Sequence, residues 1–392
     1  MNEQGHRHTP AEGRAATPPF RVAVVGSGAI AEHSHVPALR AAGDRVELVA
    51  AVDTDAERLD VFQNRNDIPA GYLSIDDMLE VERPDLVHVC TPPAAHVDPV
   101  VRCLEAGAWV LVEKPPCLSL AEFDRIEAAE RAGGAYASVV FQHRFGSGAR
   151  HAARLIASGE LGRPLVALCN TTWYRNQEYF DVPWRGRWDT EGGGPTMGHG
   201  IHQMDLMLAL LGDWVEVRAM TGRLDRVMET EDVSMAIVRF ADGAMASVVN
   251  SVLSPREESY LRFDFTDATI ELTHLYGYDN SDWRYTPAPH VADADRIASW
   301  SLPPQNVRSS HSAQLSVLLD AMERGERPPL SGRQGRETLE LVTALYRSAL
   351  TGLPVTRDQL GPDDPFYHHL HGDMPERVGS PTGTVVNSGG RS

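Results

Sequence analysis

The stretch VAVVGSGAIAEHSHVPAL, residues 22–39, decides the fold. It opens on an unbroken apolar run, which suits a strand covered on both faces, and closes on AEHSHVPAL, which carries helical spacing. Between the two lies G-x-G-x-x-A, made by Gly26, Gly28 and Ala31. That triplet alone is a weak signal. Placed between strand and helix, it becomes the turn of a dinucleotide-binding unit, whose glycines let the backbone approach a pyrophosphate. The exposed amides and positive dipole end of the helix would hold that charge. Gly26, Gly28, Ala29 and Ile30 are therefore the first expected cofactor contacts.

The alternation continues downstream. RVELVAAV, DLVHVC, AWVLVE and AYASVVF read as short buried strands, separated by amphipathic stretches such as AERLDVFQNR, HVDPVVRCLEAG and LAEFDRIEAAERAG. This is the pattern of a doubly wound parallel sheet, and it ends near Phe141. A different pattern follows a helix expected at 147–158: PLVALCNTTWY, WVEVRAMTGR, VSMAIVRF, AMASVVNSVL and ESYLRFDF alternate apolar with polar residues, and Asp242-Gly243 supplies a hairpin turn. The expected architecture is α/β: a Rossmann domain at 20–141, then an α/β domain at 142–374 built on an open, mostly antiparallel sheet. Helices at about 311–324 and 334–350 pack back across the junction. Residues 1–19 and 375–392 are rich in Gly, Pro, Ser and Thr and are expected to be disordered tails.

Composition excludes several classes of function. The 392 residues carry 36 basic and 54 acidic side chains, a net charge of −18, which repels a nucleic-acid backbone. No charge-free run reaches membrane-spanning length, and the N-terminus has no signal-peptide pattern. Four cysteines at irregular spacings form neither a CxxC pair nor a disulfide framework, so a reduced, cytoplasmic protein is expected.

In a parallel sheet, ligands bind beyond the carboxyl ends of the strands. The second strand ends in AVDTDAER, so Asp53 stands where an acidic side chain accepts hydrogen bonds from an adenosine ribose. With Asp55 beside it, NAD is favoured, while Arg58 leaves an opening for NADP; the same residues also suit a solvated helix cap. The next strand ends run into TPPAAH and EKPPC. Thr91 and Pro92 turn the chain at the rim, and His96 either reaches the cofactor or merely opens a helix. Glu113-Lys114-Pro115 carries more weight, with Glu113 and Lys114 both expected to touch the cofactor. A lysine ending a buried strand, partly desolvated beside a cationic nicotinamide, would have its pKa lowered toward useful proton transfer.

G-x-G-x-x-A, TPPAAH, VLVEKPPCLSLAE, QHRF, SGELGRP, WRGRW and GGGPTMGHGIHQMDLM occur in this order. Together they resemble the Gfo/Idh/MocA family, glucose-fructose oxidoreductase, inositol 2-dehydrogenase and relatives, over residues 20–355. The resemblance implies hydride transfer between a nicotinamide cofactor and a secondary alcohol or ketone of a sugar, cyclitol or sugar derivative. It also implies dimers or tetramers associating through the open sheet. In many relatives the glycine-rich segment reads GGGxxxDxGxH. His202 matches the histidine, but Gly198 stands at the aspartate position. By this resemblance His202 is the acid/base, Lys114 polarises the same oxygen or relays the proton, and His199 is the nearby polar group. Arg144, Tyr174, Tyr179, Trp184 and Arg185 are further substrate contacts implied by the resemblance alone, with loop packing as the plain alternative for each.

Three other readings stay open. His199, His202 and Asp205 at i, i+3 and i+6 suit one face of a helix, but lack the HExxH pattern and a cysteine partner, so no metal is assigned. A dinucleotide-binding regulatory protein without catalysis would also keep the glycine turn. An enzyme that cleaves glycosides through transient oxidation would keep the whole site.

Overall fold

The computed structural model describes residues 17–374 together with 376 and 378. Most of the two expected tails lies outside the described residues. Within the C-terminal one, Val378 is buried and its carbonyl accepts a hydrogen bond from Arg223 Nη2 at 3.0 Å, so at that point the chain packs where disorder is expected.

Among the described residues fourteen strands form two sheets. The first contains β1 (Phe20–Val25), β2 (Val46–Val52), β3 (Ala70–Tyr72), β4 (Leu86–Val89), β5 (Trp109–Val112) and β6 (Ala137–Val139). All pair in parallel in the order β3-β2-β1-β4-β5-β6. Every residue of β4 and β5 is buried, as unbroken apolar runs between two helical layers require. The strand order reverses between β1 and β4, and that switch point opens a crevice at the carboxyl edge of the sheet. The helix after the glycine turn begins as a widened π turn, Ala31–His35, and becomes regular at Val36–Ala41. Pro37, with no N–H to give to a preceding carbonyl, suits the widened turn.

The second sheet contains β7 (Pro164–Tyr174), β8 (Trp214–Gly222), β9 (Val233–Phe240), β10 (Met245–Ser251), β11 (Leu253–Phe265), β12 (Ala268–His274), β13 (Trp283–Pro287) and β14 (Val355–Thr356). Its order is β13-β12-β11-β7-β10-β9-β8-β14. It is mostly antiparallel, with β7 and β10 paired in parallel at its centre. The β9–β10 hairpin closes at Asp242-Gly243, where Gly243 adopts φ 92° and Phe240 N donates to Ala244 O at 2.9 Å.

Alternation along β9 buries every second residue on the face where helix Arg333–Thr351 packs against β8 and helix Ile201–Leu211 against β7, and leaves the other face bare. On that bare face Val166, Met220, Met235, Ile237 and Met245 are each about half exposed or more. Helix His311–Arg324, which follows β13 in the chain, packs back on the first domain: Gln314 accepts from Phe141 N at 3.0 Å and donates to Val139 O at 2.7 Å, while Asp320 pairs with Arg45 at 2.7 Å. No helix among the described residues is long and apolar enough to cross a membrane.

Candidate active site

A cavity of about 580 Å³ opens beyond the carboxyl ends of β1, β4 and β5, and the second domain supplies its other wall. Gly28, Ala29, Ile30, Thr91, Pro92, Glu113 and Lys114 line it from the first domain; Trp184, Arg185, Glu191, Gly198, His199 and His202 line it from the second. The turn at its floor fits a dinucleotide. Gly26 adopts φ 94°, and a β-carbon there would stand 2.8 Å from Thr91 N, so only glycine lets β1 pass that close to the end of β4. A β-carbon at Gly28 would meet nothing within 4 Å, so the approach to the turn is open.

Lys114 follows β5 directly, and its peptide bond to Pro115 is cis. Half-buried, it donates from Nζ to Gly198 O at 2.9 Å, which ties the strand end of one domain to the glycine-rich segment of the other. Burial pushes the Lys114 pKa below the ordinary lysine value; Glu113 opposes that shift, Arg185 adds to it, and Glu191 opposes it.

GGGPTMGHGIH folds as a tight turn, a π turn at Thr196–Gly200, and then helix Ile201–Leu211. The run of glycines is a packing requirement. A β-carbon on Gly194 would stand 1.8 Å from Glu231 O, a backbone atom that cannot step aside. The Glu231 carboxylate then fixes the turn, accepting from Gly194 N, Thr196 N and Tyr346 OH at 3.1, 3.1 and 2.9 Å. With the π turn before it, helix Ile201–Leu211 presents both His199 and His202 to the cavity. Neither ring nitrogen of His202 has a partner among the described residues, although the side chain is buried. Burial, followed by the Lys114 charge and His143, holds its pKa well below the ordinary histidine value, so the ring is neutral. His199 is held down in the same sense by burial and then by Lys114, and its Nε2 lies 3.4 Å from Tyr179 OH.

Glu191, immediately before the three glycines, escapes the sequence reading. Its Oε2 accepts from Gly186 N at 2.6 Å and its Oε1 from Arg185 Nη1 at 3.2 Å. Oε1 also lies 3.3 Å from where a β-carbon on Gly198 would be. Burial raises its carboxyl pKa, with the Gly186 N–H and the charges of Arg185 and Lys114 pulling the other way. A buried acid directly before the softest backbone in the chain was the available signal.

Glu113 lines the cavity, yet its carboxylate is committed to a buried histidine cluster. His35 Nε2 and His311 Nε2 both meet its Oε1, at 2.9 and 2.8 Å, and Lys114 N donates to its Oε2 at 3.1 Å. His35 Nδ1 in turn lies 2.9 Å from His88 Nδ1. With both Nε2–H groups donating to the carboxylate, His35 Nδ1 accepts from His88 Nδ1–H, and His88 Nε2 keeps an unpartnered lone pair. Burial opposes a charge on Glu113, but the hydrogen bonds from His311 and His35 outweigh it and hold the carboxyl well below its usual range. The acid expected to touch a cofactor instead anchors the strand end that carries Lys114.

Asp53 ends β2 beyond the cavity lining, buried against the turn. It accepts from Ser27 N at 2.9 Å, from Asp55 N at 3.0 Å and from Arg58 Nε at 2.9 Å. Burial pushes its pKa up, but Arg58 and the two backbone donors outweigh burial and lower it. Arg58 therefore occupies part of the hydrogen-bonding capacity that a ribose would use.

Three expected contacts lie elsewhere. Arg144 grips buried Asp205 through Nε and Nη2, at 2.7 and 2.6 Å, and is absent from the cavity wall. Asp205 also accepts from Thr338 Oγ1 at 2.9 Å, so it does not join His199 and His202 as a third ligand. His96 is buried, with its ring nitrogens 2.8 and 2.6 Å from the carbonyls of Pro115 and Thr91; it locks the two rim turns together without lining the cavity. Tyr174 sits at the end of β7, 44% exposed, under the Arg226 guanidinium. Tyr179, also a candidate from the sequence, does line the second-domain wall, and Trp173, Arg175 and Tyr276 join it there.

Comparison with known proteins agrees with this geometry. Residues 20–141 match the model described as oxidoreductase family, NAD-binding Rossmann fold, and residues 149–273 match the GFO/IDH/MocA C-terminal domain. The chain is 25% identical to D-glucoside 3-dehydrogenase of Escherichia coli, over 86% of this chain and 97% of that one. It is 24% identical to myo-inositol 2-dehydrogenase of Thermotoga maritima, over 84% and 96%. Among solved structures, the WlbA dehydrogenase of Bordetella pertussis, in complex with NADH and UDP-GlcNAcA, superposes with a TM-score of 0.76 at 28% identity, over 86% of this chain and 98% of that one.

Proposed function

Because the chain belongs to the Gfo/Idh/MocA family of NAD-binding oxidoreductases, we propose that it moves a hydride between NAD and a secondary alcohol or ketone on a sugar, cyclitol or sugar derivative. The observation that carries the reading is the meeting of Lys114 and His202 at one cavity, one amine held by Gly198 O and one buried imidazole with both nitrogens unspent. Bound NAD supplies the hydride acceptor. The Gly26–Ala31 turn, Asp53 and the Thr91-Pro92 rim would hold it.

The chain's own residues handle the proton. Lys114, its pKa lowered by burial, accepts the substrate hydroxyl proton in oxidation and returns it in reduction. His202 has a pKa too low to store a proton near neutrality, so it hydrogen-bonds the same oxygen as a neutral ring and orients it. The directions of these two shifts favour Lys114 as the proton holder, with His202 aiming the oxygen from a rigid helix. Arg185, Trp184 and His199 would bind the remaining hydroxyls. NAD is preferred to NADP, since Asp53 and Asp55 repel a 2′-phosphate.

The bare face of the second sheet supports a homo-oligomer. Met220 pairs across strands with Met235, and Met245 with Val166, so exposed apolar side chains recur over β7, β10, β9 and β8, with the Arg239–Glu216 ion pair among them. A second copy of the same face would cover them.

The test is absorbance of the reduced cofactor, with NAD and NADP, against a panel of sugars, sugar derivatives and inositols, with Lys114→Ala and His202→Ala alongside. Turnover in the wild-type protein and its loss in both variants is expected. Wild-type turnover in both variants would remove the mechanism.

A further inference from the structure

Resting on the reading above, the geometry points to an anionic sugar, one bearing a carboxylate or phosphate, as the substrate class, held by Arg175 and Arg185. The two guanidiniums belong to the second-domain wall and share one aromatic ring. Arg185 stacks over Tyr179 with Cζ 3.9 Å from the ring centroid and over Trp184 at 4.2 Å, while Arg175 lies 5.5 Å from the Tyr179 centroid and 4.9 Å from that of Trp173. Stacking fixes the guanidinium planes and leaves the N–H groups at their rims.

Most of those rims are unspent. Arg175 uses Nη1 alone, toward Tyr174 O at 2.6 Å and Glu257 Oε1 at 2.8 Å. Arg185 also uses Nη1 alone, toward Tyr179 OH and Glu191 Oε1. Nε and Nη2 of both have no protein acceptor among the described residues, and both side chains are about three-quarters buried. A ligand that displaces water from this wall must supply acceptors, because a buried charged donor left unpaired is costly. A carboxylate or phosphate presents paired acceptor oxygens to such forks. Each guanidinium already faces a carboxylate, Arg175 with Glu257 at 2.8 Å and Arg185 with Glu191 at 3.2 Å, so it is the free Nε and Nη2 edges, not a surplus of charge on the wall, that would take the anion. The cofactor's own pyrophosphate does not account for these residues, since the turn built for it belongs to the first domain.

Binding to the protein saturated with NADH tests this by calorimetry, using matched ligands: glucose, glucuronate, gluconate and glucose 6-phosphate. The acidic members should bind at least about tenfold more tightly than glucose. The better of the carboxylate and phosphate arms identifies the group. That preference should fall to within about threefold in Arg175→Gln and Arg185→Gln, with NADH affinity unchanged, and 0.5 M salt should weaken it. Glu257→Gln, which frees Arg175 from an exposed partner, should tighten the acidic ligands further. Equal affinity for glucose and its acidic relatives, or a preference that survives both arginine substitutions, overturns the inference. Turnover of neutral sugars alone would leave the dehydrogenase reading standing without it; tight acidic-sugar binding with no reduced cofactor formed would do the reverse.

Discussion

Glu191 Oε1 lies 3.3 Å from the place a β-carbon on Gly198 would occupy, and the carbonyl of that glycine holds Lys114 Nζ at 2.9 Å. The glycine thus makes room for a carboxylate that arrives from seven residues upstream. The Glu191 charge raises the Lys114 pKa against the lowering effect of burial. On the proposed mechanism oxidation draws on unprotonated Lys114, so its rate should climb as pH rises through that pKa. Glu191→Gln should move the climb to lower pH. A pH–rate profile that does not move would show that the two groups are uncoupled.

Gly198→Asp tests the same space from the other side. An aspartate there puts a second carboxylate against Glu191, and activity should drop at least about tenfold. Glu191→Ala combined with Gly198→Asp should recover most of the loss, a coupling that a double-mutant cycle reads directly. Losses that simply add would mean the two positions do not share a site.

If the Lys114 amine handles the proton as proposed, Lys114→Ala should lower kcat by about a hundred- to ten-thousandfold while leaving NADH affinity near that of the wild type. His202→Ala should cost less in kcat, since a ring that stays neutral orients an oxygen rather than storing a proton. His202→Asn should restore part of the loss by keeping a donor. Stopped-flow absorbance of the reduced cofactor distinguishes the two, and equal losses in both variants would contradict the division of roles.

On the proposed reading, Asp53 and Arg58 would set the choice between NAD and NADP. The carboxylate bonds Ser27 N at 2.9 Å and Arg58 Nε at 2.9 Å. Asp53→Ser removes the ribose acceptor and releases Arg58, so NADH should bind about ten- to a hundredfold more weakly while NADPH gains relative to it. Quenching of protein fluorescence gives both dissociation constants. An unchanged ratio would place the discriminating contact elsewhere.

Much of the fold was readable because its signals are local. The Gly26 turn, the Val-rich runs of β1, β4 and β5 and the Asp242-Gly243 hairpin each declare themselves within a few residues. The central parallel pairing of β7 with β10 was not readable, since it joins segments about eighty residues apart and neither strand differs in pattern from its antiparallel neighbours. The strands β12 and β13 and helix Ala294–Ser299 escaped as well. At the site, Lys114 and His202 stood out by chemistry and position. Arg144, His96 and Tyr174 stood level with plain packing roles, because sequence reveals which residues carry donors but not where those donors are spent. Asp205 absorbs the first, two backbone carbonyls the second, and the third faces out from the sheet end.

The bare sheet face gives a prediction about assembly. Ile237, 55% exposed on β9, sits among Met220, Met235 and Met245, each at least half exposed. Ile237→Glu introduces a charge that the partner face would have to desolvate, so light scattering should report monomers where the wild-type protein forms dimers or larger assemblies. A wild-type protein that is monomeric at high micromolar concentration would end this reading of the face.

The histidine cluster beneath Lys114 makes the fold acid-sensitive in a defined window. Burial lowers the pKa of His35 and His88 below the ordinary value, so both are neutral in the folded chain and take up protons only on unfolding. Below about pH 6.5 the unfolded state therefore binds more protons, and stability falls as pH drops, by about 1.4 kcal/mol per pH unit for each such group. Glu113 acts in a different window: its depressed pKa means that its contribution is present above the unfolded carboxylate value and is lost only as pH falls through the folded one. Between pH 6.5 and 5 the histidines alone set the slope of this cluster. His88→Asn keeps an N–H for His35 Nδ1 and removes a titrating ring whose Nε2 has no partner. Urea unfolding at pH 7.5, 6.5 and 5.5 should show the variant losing about one proton's worth of slope relative to the wild type. Parallel slopes would mean that His88 titrates alike in the folded and unfolded chains, and that the cluster is open to protons from solvent.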